Sequence, residues 1–161
     1  MKYKELKKLG ISEHELNQAL CAAAAQGELS LLRTLLTAGA DANTYAHIGR
    51  TPLILAVEGN PVACVKHLLA TTGIDPNRGN ENGVPPIWAA ALCGHADSLR
   101  LLLATPGIDV NKADPDGQTA LYWAAFNGRA ECVRLLLAAP GIQVNKADRN
   151  GVTPLCRARQ G

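Results

Sequence analysis

The chain has 161 residues, enough for a sizeable core, and its 47% apolar and 19% charged content is that of a folded protein rather than a disordered one. A net charge of +2 is too small at this length to call for a polyanionic partner, so nucleic acid is not expected as a target. No apolar run approaches the roughly 18–20 residues that span a bilayer, and MKYKELKKLG lacks the apolar stretch of a secretory signal. An odd five cysteines (Cys21, Cys64, Cys93, Cys132, Cys156), scattered among helical segments, read as reduced thiols of a cytoplasmic protein.

Residues 1–16 stand apart from the rest of the chain. Lys2, Lys4, Lys7 and Lys8 surround Leu6 and Leu9, and Gly10 stops any short helix there. Ser12 and Glu15 have the spacing of a capping box, which predicts a helix from about Glu13 into the Ala22–Ala25 run. This segment is expected to be a polar N-terminal helical cap. The lysines read as a solvated cap face in preference to a binder of anionic surfaces.

From Leu20 onward the chain repeats itself with a shift of 34 residues: Gly49, Gly83, Gly117 and Gly151 share one column, and Asn43, Asn77, Asn111 and Asn145 another. A period of this size is the mark of stacked supersecondary units. Each unit starts at a turn, where Asn82-Gly83, Asp116-Gly117 and Asn150-Gly151 suit the positive φ of tight hairpins. Thr51-Pro52 and Thr153-Pro154 then cap a helix and place Pro at its first position; Thr119 keeps the cap, and Pro85-Pro86 loses the hydroxyl.

A short first helix of small residues comes next, with Ala22–Ala25, Ala56, Ala89–Ala91 and Ala124-Ala125 permitting close approach, and Gly27, Asn60, Gly94 or Gly128 ends it. The second helix carries an apolar stripe, as in Leu32 with Leu35-Leu36 or Leu99 with Leu102-Leu103. Gly39, Gly73, Gly107 and Gly141 terminate it, and Pro106 and Pro140 block continuation.

A hairpin tip, a Thr-Pro helix start, an Ala-Ala helix, a Gly turn and a Leu-Leu helix closed by Gly-x-Asp-x-Asn resemble the ankyrin repeat. The matching residues are Gly49-Arg50-Thr51-Pro52-Leu53, Gly117-Gln118-Thr119-Ala120-Leu121, Gly94-His95 and Gly107-Ile108-Asp109-Val110-Asn111. The resemblance implies an all-α solenoid of antiparallel helix pairs with projecting β-hairpin loops. Its units would be 17–45, 46–79, 80–113 and 114–147, with a partial one at 148–161, behind the cap at 1–16. One departure matters. The family's His after Thr-Pro-Leu is replaced by Cys21, Ile54, Trp88, Tyr122 and Cys156, so apolar packing is expected to replace a polar tie, with Tyr122 able to keep a hydroxyl bond.

No phosphate-loop, dinucleotide, nucleophile-elbow or zinc-protease motif occurs, so no catalytic residue, cofactor or metal is expected. Cys64 with His67, and Cys93 with His95, are the best metal candidates, but zinc needs four convergent ligands, and a buried thiol and an amphipathic His are the plainer reading. Trp88 and Tyr122 are expected between turns, Trp123 likewise, and Phe126 at the exposed end of its helix.

The leading expectation is a non-catalytic protein-binding module. What the family resemblance adds is the surface, made of hairpin tips and first-helix ends. A protein partner would contact Tyr45, His47, Ile48, Arg50 and Glu58, then Glu81, Asn82, Val84 and Leu92, then Asp116, Gln118, Phe126, Asn127, Arg149 and Val152. No nucleic acid or membrane is expected as partner, and the chain is expected to be a monomer, end-to-end contact being the open route to self-association. The competing reading is the regulatory or targeting arm of a larger enzyme or effector.

Overall fold

A computed structural model describes residues 10–159; the Lys2–Lys8 cluster lies outside them. Among the described residues the chain forms α1 (Glu13–Gln26), α2 (Leu29–Thr37), α3 (Pro52–Gly59), α4 (Val62–Leu69), α5 (Pro86–Cys93), α6 (Ala96–Leu103), α7 (Ala120–Phe126), α8 (Ala130–Leu137) and α9 (Pro154–Ala158). The first helices α1, α3, α5, α7 and α9 pack in one row, and the second helices α2, α4, α6 and α8 in another. The main contacts of each described element are with its own unit and the neighbouring ones, so the stack is held by successive interfaces rather than by one centre.

The helix starts are set by the local sequence. The Ser12 hydroxyl accepts from the Glu15 amide at 3.2 Å, and the Glu15 carboxylate accepts from the Ser12 amide at 2.8 Å, which completes the capping box. Thr51, Thr119 and Thr153 each accept from the amide three residues on, at 3.2–3.3 Å. Pro85 offers no such bond. First helices end on Gly27, Asn60 and Gly94, all left-handed, with Asn60 at φ 60° the one non-glycine residue there among those described. Asn tolerates that region because its short side chain bonds locally; here it is also anchored, since Asn60 Oδ1 accepts from Ser98 Oγ at 2.8 Å.

The core is built from repeating columns. Leu20, Leu53, Ile87 and Leu121 are 0–3% exposed, and Ala23, Ala56, Ala90 and Ala124 are 0–1% exposed. Each buried Leu or Ile contributes about 1.5–3 kcal/mol of transfer free energy. The alanines let adjacent first helices approach, and any larger side chain there would force them apart.

Two features differ from the expected form. The loops are not strand ladders: a single isolated bridge, Ala113 to Thr119, is the only β pairing among the described residues. Nor does the residue before each tip glycine take positive φ; at 83, 117 and 151 only the Gly does. The reason is a side chain placed further back. Asn80 Oδ1 accepts from the amides of Asn82 and Val84, Asp114 Oδ1 from Asp116 and Gln118, and Asp148 Oδ1 from Asn150 and Val152, all at 2.9–3.0 Å. These bonds close the turn with ordinary backbone angles up to the Gly, so no second left-handed residue is needed.

The Asn column proves to be a ladder between units. Asn43 Nδ2 donates to the Gly73 carbonyl, and its Oδ1 accepts from the Asp75 amide, both at 2.8 Å. Asn77 does the same to Gly107 and Asp109, and Asn111 to Gly141 and Gln143. Each carboxamide thereby satisfies one donor and one acceptor of the next loop.

Candidate binding surface

The tips lie alongside the first-helix row on one side of the stack. At the first tip, α1, α3 and the loop together line a hollow with Ala22, Ala25, His47, Ile48 and Leu55 in its wall. Ile48 is 63% exposed, an apolar side chain held out on a loop whose backbone is fixed by the Ala46–Arg50 bond of 2.8 Å. Arg50 Nε sits 3.2 Å from Glu58 Oε2 and ties the tip to α3. Burial pushes the Glu58 carboxyl up from its ordinary range, and Arg50 draws it back. Tyr45 is half-buried: its hydroxyl donates to the Gly79 carbonyl at 3.2 Å, and the Arg78 guanidinium lies 4.7 Å from its ring centre. His47 is exposed and edge-packed on His14, with ring centres 5.3 Å apart.

The second and third tips carry Glu81, Asn82, Val84, Asp116 and Gln118. Of these, Glu81, Asn82 and Asp116 are exposed, and Val84 and Gln118 half-buried. Glu81 donates its amide to the Gly49 carbonyl of the previous tip, and Arg149 to the Asp116 carbonyl, both at 2.9 Å. Between those junctions the equivalent residue is Pro115, which has no N–H to give. There the Pro115 ring packs close to Gly83 with no backbone bond, beside a notch of about 650 Å³ lined by Glu81, Asn82, Gly83, Val84, Asp114, Pro115 and Asp116. Sequence reasoning did not anticipate this opening or the place of Asp114 in its wall; a Pro in the column of Glu81 and Arg149 was the available signal.

Further along, the aromatics converge. Trp88 and Trp123 meet edge to face at 5.3 Å, Tyr122 and Trp123 at 5.8 Å, and Trp123 and Phe126 at 5.7 Å. The Arg157 guanidinium, brought in by α9, lies 4.1 Å from the Phe126 ring centre and 5.7 Å from that of Tyr122. Such cation–ring contacts and edge-to-face pairs favour one arrangement of the cluster. The indole N–H groups of Trp88 and Trp123 are enclosed without an acceptor among the described residues.

Tyr122 is buried, and burial pushes its phenol up; the Val152 and Asn150 amides hold the Asp148 carboxyl down. Phe126, Asn127, Leu92 and Val152 are half-buried and Arg149 exposed. Asn127 is committed to its own helix, its Nδ2 donating to the Trp123 carbonyl at 2.9 Å.

The polar tie missing from the Ile54 column reappears one turn later. His95 Nδ1 lies 2.8 Å from the Val57 carbonyl, and Arg129 Nε donates to the Leu92 carbonyl at 3.2 Å. His95 is therefore engaged between units rather than turned towards Cys93. Cys64 is fully buried, and burial pushes its thiol up. Among the described residues no group of three or more His, Cys, Asp or Glu is placed to hold a metal ion, and no helix is long and apolar enough to cross a membrane.

Stacked helix pairs, Thr-capped first helices and loops joined by Asn bridges agree with what a comparison against family models finds. The model described as ankyrin repeats (3 copies) matches residues 20–114 and again 88–161. A search of curated proteins returns no match to the chain. The chain belongs to the ankyrin-repeat family.

Proposed function

We propose that the chain is a non-catalytic adaptor that binds a protein partner on its tip and first-helix surface, with residues 17–161 as the array and 1–16 as its cap. Ankyrin repeats are in general protein–protein interaction modules. The observation that carries the finer reading is a division within single elements. In α7, Leu121, Tyr122 and Ala124 are buried while Phe126 and the adjoining Asn127 are not, and in α3 Leu53, Ile54, Ala56 and Val57 are buried while Glu58 is not. All fifteen residues from Tyr45 to Val152 named for the surface are exposed or half-buried, whereas the framework columns beside them are sealed.

A preformed surface of this kind lowers the ordering cost of association, and the Trp123–Phe126 group supplies the aromatic area in which binding energy concentrates. The partner lies across the tips, meeting Ile48 and Arg50 at one end and Phe126 and Arg149 at the other.

The test is affinity capture from native lysate with the wild type, with Arg50→Glu/Arg149→Glu, and with Phe126→Ala. The expected outcome is a specific bound protein lost with both variants while their thermal stability stays close to wild type. Retention of that protein by both variants would move the site elsewhere.

A further inference from the structure

The second helices carry a row of cations, one per unit. The fifth residue is Arg33 in α2, Lys66 in α4, Arg100 in α6 and Arg134 in α8. The second residue, one turn earlier, is Ser30, Ala63, Asp97 and Glu131. In the last two of these helices it supplies the counter-ion. Asp97 pairs with Arg100 and Glu131 with Arg134, each at 2.7 Å, and Glu131 also reaches Arg100 of the preceding second helix. The bond to Arg134, with the Arg100 charge adding, holds the Glu131 carboxyl below its ordinary range. A carboxylate seated between two stacked cations is thus an arrangement that this fold itself builds.

At the first junction the acid is missing. Arg33 and Lys66 are exposed, and neither has an ion-pair partner among the described residues. Between α2 and α4 lies a hollow of about 250 Å³ lined by Leu29, Arg33, Ala63, Lys66, His67 and Ala70. Arg33, Ala63 and Lys66 are the counterparts of Arg100, Glu131 and Arg134, so the hollow lies where α8 places its carboxylate. Leu29 and Ala70 give it an apolar floor for the stem of an acidic side chain.

The charge pattern also says what fills it. Two acids are absent here, at Ser30 and Ala63, where the later helices have Asp97 and Glu131. The occupant therefore brings two neighbouring carboxylates. In this chain no two acids are adjacent, and the pairs one residue apart are Glu13 with Glu15 and Asp114 with Asp116. Glu15 is committed to Ser12, and Asp114 to the amides of its own turn. A second copy has no free pair of this kind to offer.

We propose that the hollow between α2 and α4 binds an acidic segment of a partner protein, whose neighbouring carboxylates pair with Arg33 and Lys66. This seat belongs to the second-helix row, apart from the tip and first-helix surface, and either can fail without the other.

The probe is hexaglutamate, titrated into the isotope-labelled full chain and followed by amide chemical shifts, with hexaglutamine as the neutral control. The buffer holds about 0.1 M salt, where charges more than about 10 Å apart are screened. Saturable shifts should appear at Arg33, Ala63, Lys66 and His67 with hexaglutamate alone. Arg33→Gln/Lys66→Gln should weaken binding about five- to tenfold, the effect of losing two exposed ion pairs. Ala63→Glu supplies the missing acid within the chain and should weaken it comparably. Gln143→Glu makes the same charge change at an exposed loop position two units away and should leave binding unchanged. Arg33, Ala63 and Lys66 are exposed, so unchanged thermal unfolding separates lost binding from lost fold.

Shifts spread evenly over the other exposed cations, or equal binding by Ala63→Glu, would overturn the proposal. Tighter saturation of the same amides by inorganic phosphate would overturn the carboxylate. Co-sedimentation with phosphatidylserine vesicles, abolished by Arg33→Gln/Lys66→Gln, would replace the partner segment with a membrane surface and overturn it. A concentration-dependent dimer in light scattering, abolished by the same variant, would assign the hollow to a second copy and overturn it likewise.

Discussion

Asn77→Ala isolates the coupling between units. The carboxamide donates to the Gly107 carbonyl at 2.7 Å and accepts from the Asp109 amide at 2.8 Å, so alanine removes two bonds and leaves one backbone acceptor and one donor to water. Each such bond is worth about 0.5–1.5 kcal/mol net, or about 1–3 kcal/mol for the pair. Asn77 is half-buried, so water recovers part, and a loss of about 1–2 kcal/mol is expected. For a chain of this size that is a fall in Tm of about 2–8 °C.

Asn145→Ala is the internal control. It stands in the same column, but no forward bridge from it exists among the described residues, and it is exposed. Its substitution should stay within about 0.5 kcal/mol of wild type. Thermal and urea unfolding monitored by circular dichroism measure both. Equal losses for the two variants would mean that the bridges do not couple the units.

Three further outcomes rest on contacts of the same kind. Asp148 has its carboxyl held down mainly by the Val152 and Asn150 amides, so its contribution is present above the ordinary carboxylate range and fades as pH falls through the lowered value. Asp148→Asn, which cannot titrate, should therefore lose less stability than wild type on acidification, and an equal loss would contradict this role of Asp148. Under native conditions at pH 8.5 a thiol reagent should label Cys156, which is exposed, ahead of the other four cysteines, because Cys21 is sealed and pushed up to about 11 and Cys64 and Cys132 are buried. Rapid labelling of Cys21 in the folded state would show that α1 opens readily. Leu102→Ala, at a fully buried stripe position of α6, should cost about 2–5 kcal/mol by leaving a cavity, with a correspondingly lower urea midpoint; a neutral result would contradict the packing of α6 between its neighbours.

The repeat was legible because each framework role needs one residue type. A cap needs a hydroxyl, as at Thr51 and Thr119, and a close approach needs alanine, as at Ala56 and Ala90. What was less legible depends on partners far apart in sequence. The Asn43, Asn77 and Asn111 column was visible as a repeat, yet its bridges span about thirty residues to the next loop, which no local pattern states. The tip turns differ from expectation for a related reason. Asn-Gly and Asp-Gly suggest two left-handed residues, while the Asx side chains at Asn80, Asp114 and Asp148 close the turn without the second.

Of the surface residues, Ile48 and Arg149 could be placed by column counting alone, since tips project. The position of Arg157 over Phe126 could not, because it depends on how α9 packs on α7. Asn127 was readable as a surface position but not as tied back to Trp123.

The most direct test of the binding surface is a hydrogen-exchange footprint of the chain with and without the protein that affinity capture identifies. Protection should appear at the tips around Ile48, Glu81, Asp116 and Arg149 and at the ends of α3, α5 and α7. Protection confined to the second helices α4, α6 and α8, with the tips unchanged, would contradict a partner seated on the tips.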